Sequence, residues 1–317
     1  MLQRRDLNQA LSLLALAGFG LAALRYLDQS VAQAGLWFFA GLTLTTGFFH
    51  GALDIVLIQR EFASARRMAG AVVLYGAVAV LLAMLCARSS WLMVLALLAM
   101  SVWHFGEPYG RWAHSTWVHR VVAGGAPVML PALLSAQALQ DVLPVAVGPD
   151  AAWAWTIWQT IAWLWIATCG LGLAVLRKRL TSQPLWAEVA AVLALNMALS
   201  PLMAFSIYFG LFHAGTHIFR VIARRDRGAA SEQASRCDRT FKHRSGAAIV
   251  LTSLGTLMLL LALACYLQSA SIAASEHHSL LNGLLVALTA VTLPHLVLVS
   301  RNARWLTAQT SSSPPRP

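Results

Sequence analysis

Charged residues are scarce in this chain. They make up 11% of its 317 residues, whereas a typical soluble domain carries about 25%. Hydrophobic residues make up 58%. The sequence also lacks any long polar region that would fold as a separate soluble domain, and it contains no internal repeat. These absences exclude an ordinary soluble protein and predict a single integral membrane domain over residues 1–317.

Cysteine is also rare. The four cysteines (Cys86, Cys169, Cys237 and Cys265) are scattered along the chain without a CxxC pair. Three of them lie within apolar runs. This pattern suggests neither a disulfide framework nor a thiolate metal site.

Acidic residues are few, so the formal net charge is +11. Such an excess of positive charge could indicate nucleic acid binding, but the Lys and Arg residues occur in short clusters between apolar runs. Clusters of this kind orient a protein in a membrane through the positive-inside rule. We therefore expect the lipid bilayer as a partner and no nucleic acid.

Apolar runs near the length of about 20 residues that a spanning helix needs recur along the chain. The candidate runs are 8–27, 36–58, 69–87, 91–106, 120–139, 151–176, 185–200, 202–222, 246–269 and 279–300. Two of them, 91–106 and 185–200, are short for a full crossing. The predicted fold is all-α, a polytopic membrane helix bundle of about ten (eight to ten) transmembrane helices.

The basic clusters predict the orientation of this bundle. They precede the first run and follow the second, fourth, sixth, eighth and tenth, whereas the alternate connections are almost bare of cations. The chain is therefore expected to lie in the cell (inner) membrane as a multi-pass protein with both termini cytoplasmic. Residues 1–35 would form the first helix and an outer loop, and 301–317 a cytoplasmic tail.

Histidines are present in the second, fourth, eighth and tenth runs, each of which is predicted to run inward. They are His50, His104, His213, His217 and His295. Histidine inside a bilayer is costly, so its presence there indicates function. All five fall in the cytoplasmic half of their helices and are expected to converge in depth.

The spacing of two of these histidines is typical of a metal site. His213 and His217 are four residues apart, which places them on one helix face, about 6 Å apart along the axis. A metal site is predicted, although imidazole suits zinc, copper, iron and nickel, so the ligand type does not identify the metal. The alternative for any single histidine is a hydrogen bond to a neighbouring helix.

Two acids and several aromatic residues accompany the histidines. Asp54 lies four residues after His50, where we expect it to accept the N–H of a ligand histidine; its alternative role is a hydrogen bond between helices or an ion pair near the cytoplasmic side. Glu107 lies nearer the interface and has a solvated helix end as its alternative; either acid could instead bind the metal. Aromatic residues beside the histidines are candidates for lining a channel for a long apolar substrate, although in membrane helices they commonly face lipid. These are Trp103, Phe105, Phe209 and Phe212.

Four stretches of the sequence, in order, closely resemble the Brp/Blh family of membrane β-carotene 15,15'-dioxygenases. They are GFFHGALDIVL, VWHFGEP, LFHAGTHIFR and TLPHLVLV. The similarity covers about residues 36–300. The resemblance implies that non-haem Fe(2+) is the cofactor and that its ligands are His50, His104, His213 and His217. It gives His295 no ligand role, so we expect that residue beside the ligands or in the substrate pocket.

The resemblance also implies an activity. With O2, the enzyme would cleave the central 15,15' double bond of β-carotene, or of a related carotenoid, and give two retinal molecules. One alternative is a membrane di-iron hydroxylase or desaturase acting on a lipid, which needs more clustered histidines than the five here. Another is a non-enzymatic haem-binding or transport protein, which would favour facing histidine pairs or more buried acids.

Overall fold

The computed structural model of the chain describes residues 39, 41–62, 64–107, 117–176, 183–221 and 276–302. These residues form helices joined by short connections, with no strand among them. The all-α prediction is therefore confirmed for this part of the chain. The predicted runs 8–27 and 246–269 lie outside the described residues, as do both chain ends.

The helices follow one another closely along the chain. In order they are α1 (Phe48–Ala52), α2 (Asp54–Glu61), α3 (Ala65–Arg88), α4 (Ser90–Phe105), α5 (Trp117–Leu134), α6 (Ala136–Val147), α7 (Ala151–Leu176), α8 (Gln183–Ala198), α9 (Pro201–Val221) and α10 (Glu276–Arg301). A π-helical turn at Thr43–Gly47 precedes α1. Residues Ile207–Ala214 within α9 are π-helical as well.

Four described helices are long and apolar enough to cross a membrane: α3, α5, α9 and the part of α10 from Leu281 to Arg301. Helix α4 and the Leu185–Ala198 part of α8 are apolar but shorter. These helices agree with the expectation of a membrane protein. The predicted count of about ten spans is not confirmed.

The structure divides two of the predicted runs. Run 36–58 is broken at Leu53, where the N–H of Val56 donates to the carbonyl of Leu53 in a turn tighter than an α-helix. Run 120–139 is broken at Ser135, whose backbone is not helical (φ −128°, ψ 41°). As a result, α6 occupies much of the segment predicted as an outer connection.

Helix α5 is largely buried and packs against α4, α7 and α8. Glycines make this packing possible: a Cβ added at Gly124 would overlap the backbone of Val102 in α4. At Gly125 the space is filled by the Trp165 indole of α7, whose N–H donates to the carbonyl of Val121, 2.8 Å away. Small residues permit such close helix approach, and here they bring α4 tightly against α5.

The two π-helical segments pack against each other. A Cβ added at Gly47 would lie only 2.7 Å from Cε1 of Phe209, and one added at Gly210 only 2.9 Å from Oγ1 of Thr46. This contact holds α1 beside α9. Irregular π turns often occur at functional sites. One of these segments ends three residues before His50, and the other contains His213.

Candidate metal centre

The bundle gathers the five histidines predicted to lie at membrane depth. Helix α1 supplies His50, α4 supplies His104, α9 supplies His213 and His217, and α10 supplies His295. All five side chains are buried, none more than 8% exposed. Residues from four separate helices, distant in sequence, therefore meet in one place.

His50 occupies the middle of this cluster. Its ring centroid lies 4.4 Å from that of His217 and 4.5 Å from that of His295. The corresponding distances are 5.3 Å to His213 and 5.7 Å to His104. The imidazoles are thus close enough for their nitrogens to share one small ion.

The nitrogens of three histidines approach one another most closely. One nitrogen each of His50, His104 and His213 lies within 4.8 Å of the other two. Nε2 of His104 and Nε2 of His213 are 2.8 Å apart. Two imidazole nitrogens at this distance either share a proton or direct their lone pairs at a common cation.

Several of the buried imidazole nitrogens form no hydrogen bond in the described part of the chain. Both ring nitrogens of His50 and Nε2 of His295 are buried there without a hydrogen-bond partner. Leaving such groups unsatisfied in an apolar interior is costly. A cation bound by the imidazoles would remove that cost, so the residues fit a metal of the iron, zinc, copper or nickel type.

Asp54 contacts this cluster through its carboxylate. Oδ1 lies 2.7 Å from Nδ1 of His295, and Oδ2 accepts a 2.8 Å hydrogen bond from the Tyr75 hydroxyl. The sequence predicted that Asp54 accepts the N–H of a ligand histidine. The histidine it contacts is His295, which was expected beside the ligands and not among them.

Tyr75 was not predicted as part of the site. The sequence did contain a signal: Tyr75 is a lone tyrosine in the apolar helix α3, and a phenol in such a setting usually needs a hydrogen-bond partner. Its position on a different helix from Asp54 made the pairing impossible to read from spacing alone.

Two of the four predicted aromatic residues lie against the histidines. The Phe105 ring is 4.7 Å from that of His213, and the Phe209 ring is 6.4 Å from that of His50. Both line the cavity beside the cluster. These two agree with the expected pocket position.

The other predicted pocket residues lie elsewhere. Trp103 is 47% exposed, and its ring faces the Arg120 guanidinium, 4.2 Å from the ring centroid. Phe212 packs on Tyr208, with ring centroids 5.7 Å apart. Glu107 is buried just beyond the end of α4 but is not among the residues that line the cavity.

Two neighbouring cavities open beside the cluster. The histidine cavity is lined by residues that include His50, His104, His295 and Tyr75. The apolar cavity is larger and is lined almost entirely by hydrophobic side chains, most of them from α4, α5, α6, α9 and α10. The two share wall residues, namely Leu97, Ser101 and Phe205.

Fold and site together define a helical protein of membrane type with a buried cluster of histidines on separate helices. The sequence model of the β-carotene 15,15'-dioxygenase family matches residues 41–301, most of the chain. The chain therefore belongs to this family, and the resemblance noted from its sequence motifs is confirmed. No curated protein and no solved structure matches it significantly.

Proposed function

We propose that this protein is a non-haem iron dioxygenase that cleaves the central 15,15' double bond of β-carotene to give two retinal molecules. The observation that supports this most strongly is the buried histidine cluster, which lies within the region matched by the family. A cluster of neutral imidazoles suits a divalent iron ion. Histidines are rare in apolar membrane helices, so five of them gathered in one place indicate a shared functional role.

The proposed ligands of Fe(2+) are His50, His104, His213 and His217. The nitrogen distances among the first three and the contact of His217 with the His50 ring support this set. When bound, the iron supplies a site at which O2 is held and activated. The protein supplies the fixed imidazoles, and the surrounding apolar helices exclude water.

The proposed reaction is balanced without a further reactant. The 15,15' double bond of β-carotene breaks, and each of its two carbons takes one oxygen atom of O2 to become an aldehyde. The carbons are oxidised, O2 is reduced, and no proton or external electron is consumed. The site therefore needs no general acid or base.

The apolar cavity supports a long hydrocarbon substrate. It adjoins the histidine cavity through Leu97, Ser101 and Phe205, and its lining offers almost no polar surface. Binding sites for apolar molecules are concave and lined by such side chains. We propose that one arm of the carotenoid occupies this cavity while the central double bond lies at the histidines.

The membrane arrangement is part of the same proposal. We propose a single membrane domain in the cell membrane, with both termini cytoplasmic and the histidines in the cytoplasmic half. The alternation of basic clusters along the sequence supports this orientation. Reporter fusions at each terminus, active only in one compartment, test it: a periplasmic signal from either end would contradict it.

The activity is tested with the purified, iron-loaded protein, β-carotene and ¹⁸O2. We expect two retinal molecules for each β-carotene consumed, each carrying one ¹⁸O atom, and one iron per chain. Aldehydes of unequal length or a hydroxylated lipid would contradict the proposed reaction. Two irons per chain or a haem absorption band would contradict the proposed cofactor.

A further inference from the structure

His295 lies as close to the middle of the cluster as the four proposed ligands. Its ring centroid is 4.5 Å from that of His50, 4.8 Å from that of His104 and 5.6 Å from that of His217. It is 4% exposed. These ring distances fall within the range found among the other four histidines, although its nitrogens do not belong to the tightest group of three.

The contact with Asp54 fixes which nitrogen of His295 carries the proton. A carboxylate only accepts hydrogen bonds, so in a neutral imidazole Nδ1 of His295, 2.7 Å from Oδ1, is the donor and Nε2 is the nitrogen that keeps its lone pair. That atom is buried and has no hydrogen-bond partner within the described residues, which is the state of a nitrogen prepared to bind a metal.

Tyr75 holds the carboxylate in this orientation. Its hydroxyl donates to the other oxygen of Asp54 over 2.8 Å. Asp54 lies on α2, Tyr75 on α3 and His295 on α10, so three helices contribute. A carboxylate that orients a histidine in this way recurs behind metal ligands and raises their basicity.

The pair is not the sole polar contact between α2 and the end of α10 in the described part of the chain. These helices are already joined near the end of the bundle, where Arg301 binds Glu61 at 2.6 Å and Arg60 donates to the Asn302 side chain at 2.7 Å. A further buried carboxylate and histidine would add a desolvation penalty for little extra strength. Binding of the metal by His295 would explain why this energetically costly pair is present.

We propose that His295 is a fifth metal-binding histidine, positioned through Nδ1 by Asp54, which Tyr75 holds in turn. This rests on the proposed metal site. The alternative is that the three residues form only a structural contact between helices. In that case their removal would alter stability but not the coordination of the metal.

The test is titration of the metal-free, full-length protein in detergent with Co(2+), followed by the visible absorption of the bound ion. For His295→Ala we expect Co(2+) affinity to fall more than tenfold and the band to intensify as one ligand is lost. Added imidazole should partly restore the spectrum. For Asp54→Asn we expect a fall of roughly 10–100-fold, and for Tyr75→Phe a smaller one.

The chain offers matched controls. Tyr208→Phe also removes a buried phenol from a carboxylate, because Tyr208 donates to Glu188 over 2.9 Å. His119→Gln removes another buried histidine. Both should leave Co(2+) affinity and spectrum unchanged. If His295→Ala does not fold, His295→Gln preserves the side-chain volume and must show the same loss.

Failure of this proposal and failure of the proposed function are distinguishable. If His50→Ala loses Co(2+) binding but His295→Ala or His295→Gln keeps the parent affinity and spectrum, the fifth ligand is wrong and the iron site stands. If His295 variants change the spectrum but the iron-loaded parent makes no retinal, the inference stands and the proposed function is wrong.

Discussion

The histidine cavity and the apolar cavity share a wall but differ in what they can do. The first holds His50, His104 and His295 beside Tyr75. The second is larger and is lined mainly by apolar side chains such as Met93. These side chains can fit the shape of a substrate, but they carry no metal-binding or acid–base group. The difference implies that, under the proposed function, metal binding and substrate accommodation depend largely on separate residues. Substitutions should therefore affect one without the other, and their effects can be ranked.

The largest effect is expected from His50→Ala. His50 contacts the other histidine rings of the cluster, so its loss should abolish both iron binding and retinal formation, as should His217→Ala. Metal analysis and product chromatography measure the two. His119→Gln is the control, and retained activity in either alanine variant would contradict the ligand assignment.

The next largest effect is expected from Ala146→Phe. Ala146 is buried and lines the apolar cavity, so the added ring should fill space needed by the substrate. We expect kcat/KM to fall by roughly 10–100-fold, as for added bulk in a hydrophobic pocket, with iron content unchanged. Ala77→Phe, on the exposed face of α3, is the matched control. Loss of iron in Ala146→Phe would show that the two cavities are not separable.

Gly124→Ala should act on stability and on both cavities together. The added Cβ would overlap the backbone of Val102 in α4, the helix that borders both cavities. Overpacking of this kind costs about 1–3 kcal/mol, so thermal unfolding should shift to lower temperature. Gly70→Ala, where no neighbour lies within 4 Å, should be neutral or slightly stabilising. An unchanged unfolding temperature for Gly124→Ala would contradict the close approach of α4 and α5.

The smallest effect is expected from Arg301→Gln. The ion pair with Glu61 is largely exposed on the arginine side, at 60%, and exposed pairs contribute about 0–1 kcal/mol. Iron content, kcat/KM and unfolding temperature should all stay near the parent values. A change in iron content would mean that the end of α10 sets the position of His295.

The sequence predicted the members of the cluster better than their contacts. His50, His104 and His295 could be placed together because charge clusters predicted a direction and a depth for each helix. The rotation of a helix about its own axis is set by its packing against neighbours. The spacing of residues along the sequence does not reveal that rotation. Trp103, next to His104, therefore faces outward, although its neighbour points into the site.

Irregular backbone limited the prediction in a second way. The count of 3.6 residues per turn fails across Ile207–Ala214, which is π-helical, so Phe212 packs on Tyr208 instead of lining the histidine cavity. The break at Leu53 likewise separates His50 and Asp54 onto different helices. Asp54 thereby meets a histidine 241 residues away along the chain.

The Asp54 carboxylate has a consequence for the redox state of the site. It sets one negative charge beside a cluster of imidazoles that are neutral as ligands. With Fe(2+) bound, the buried assembly would carry a net single positive charge. Oxidation to the ferric ion would double that charge in a medium of low dielectric constant, where charge is costly. The Asp54 charge offsets part of that cost, so at the proposed iron site Asp54→Asn should shift the reduction potential upward.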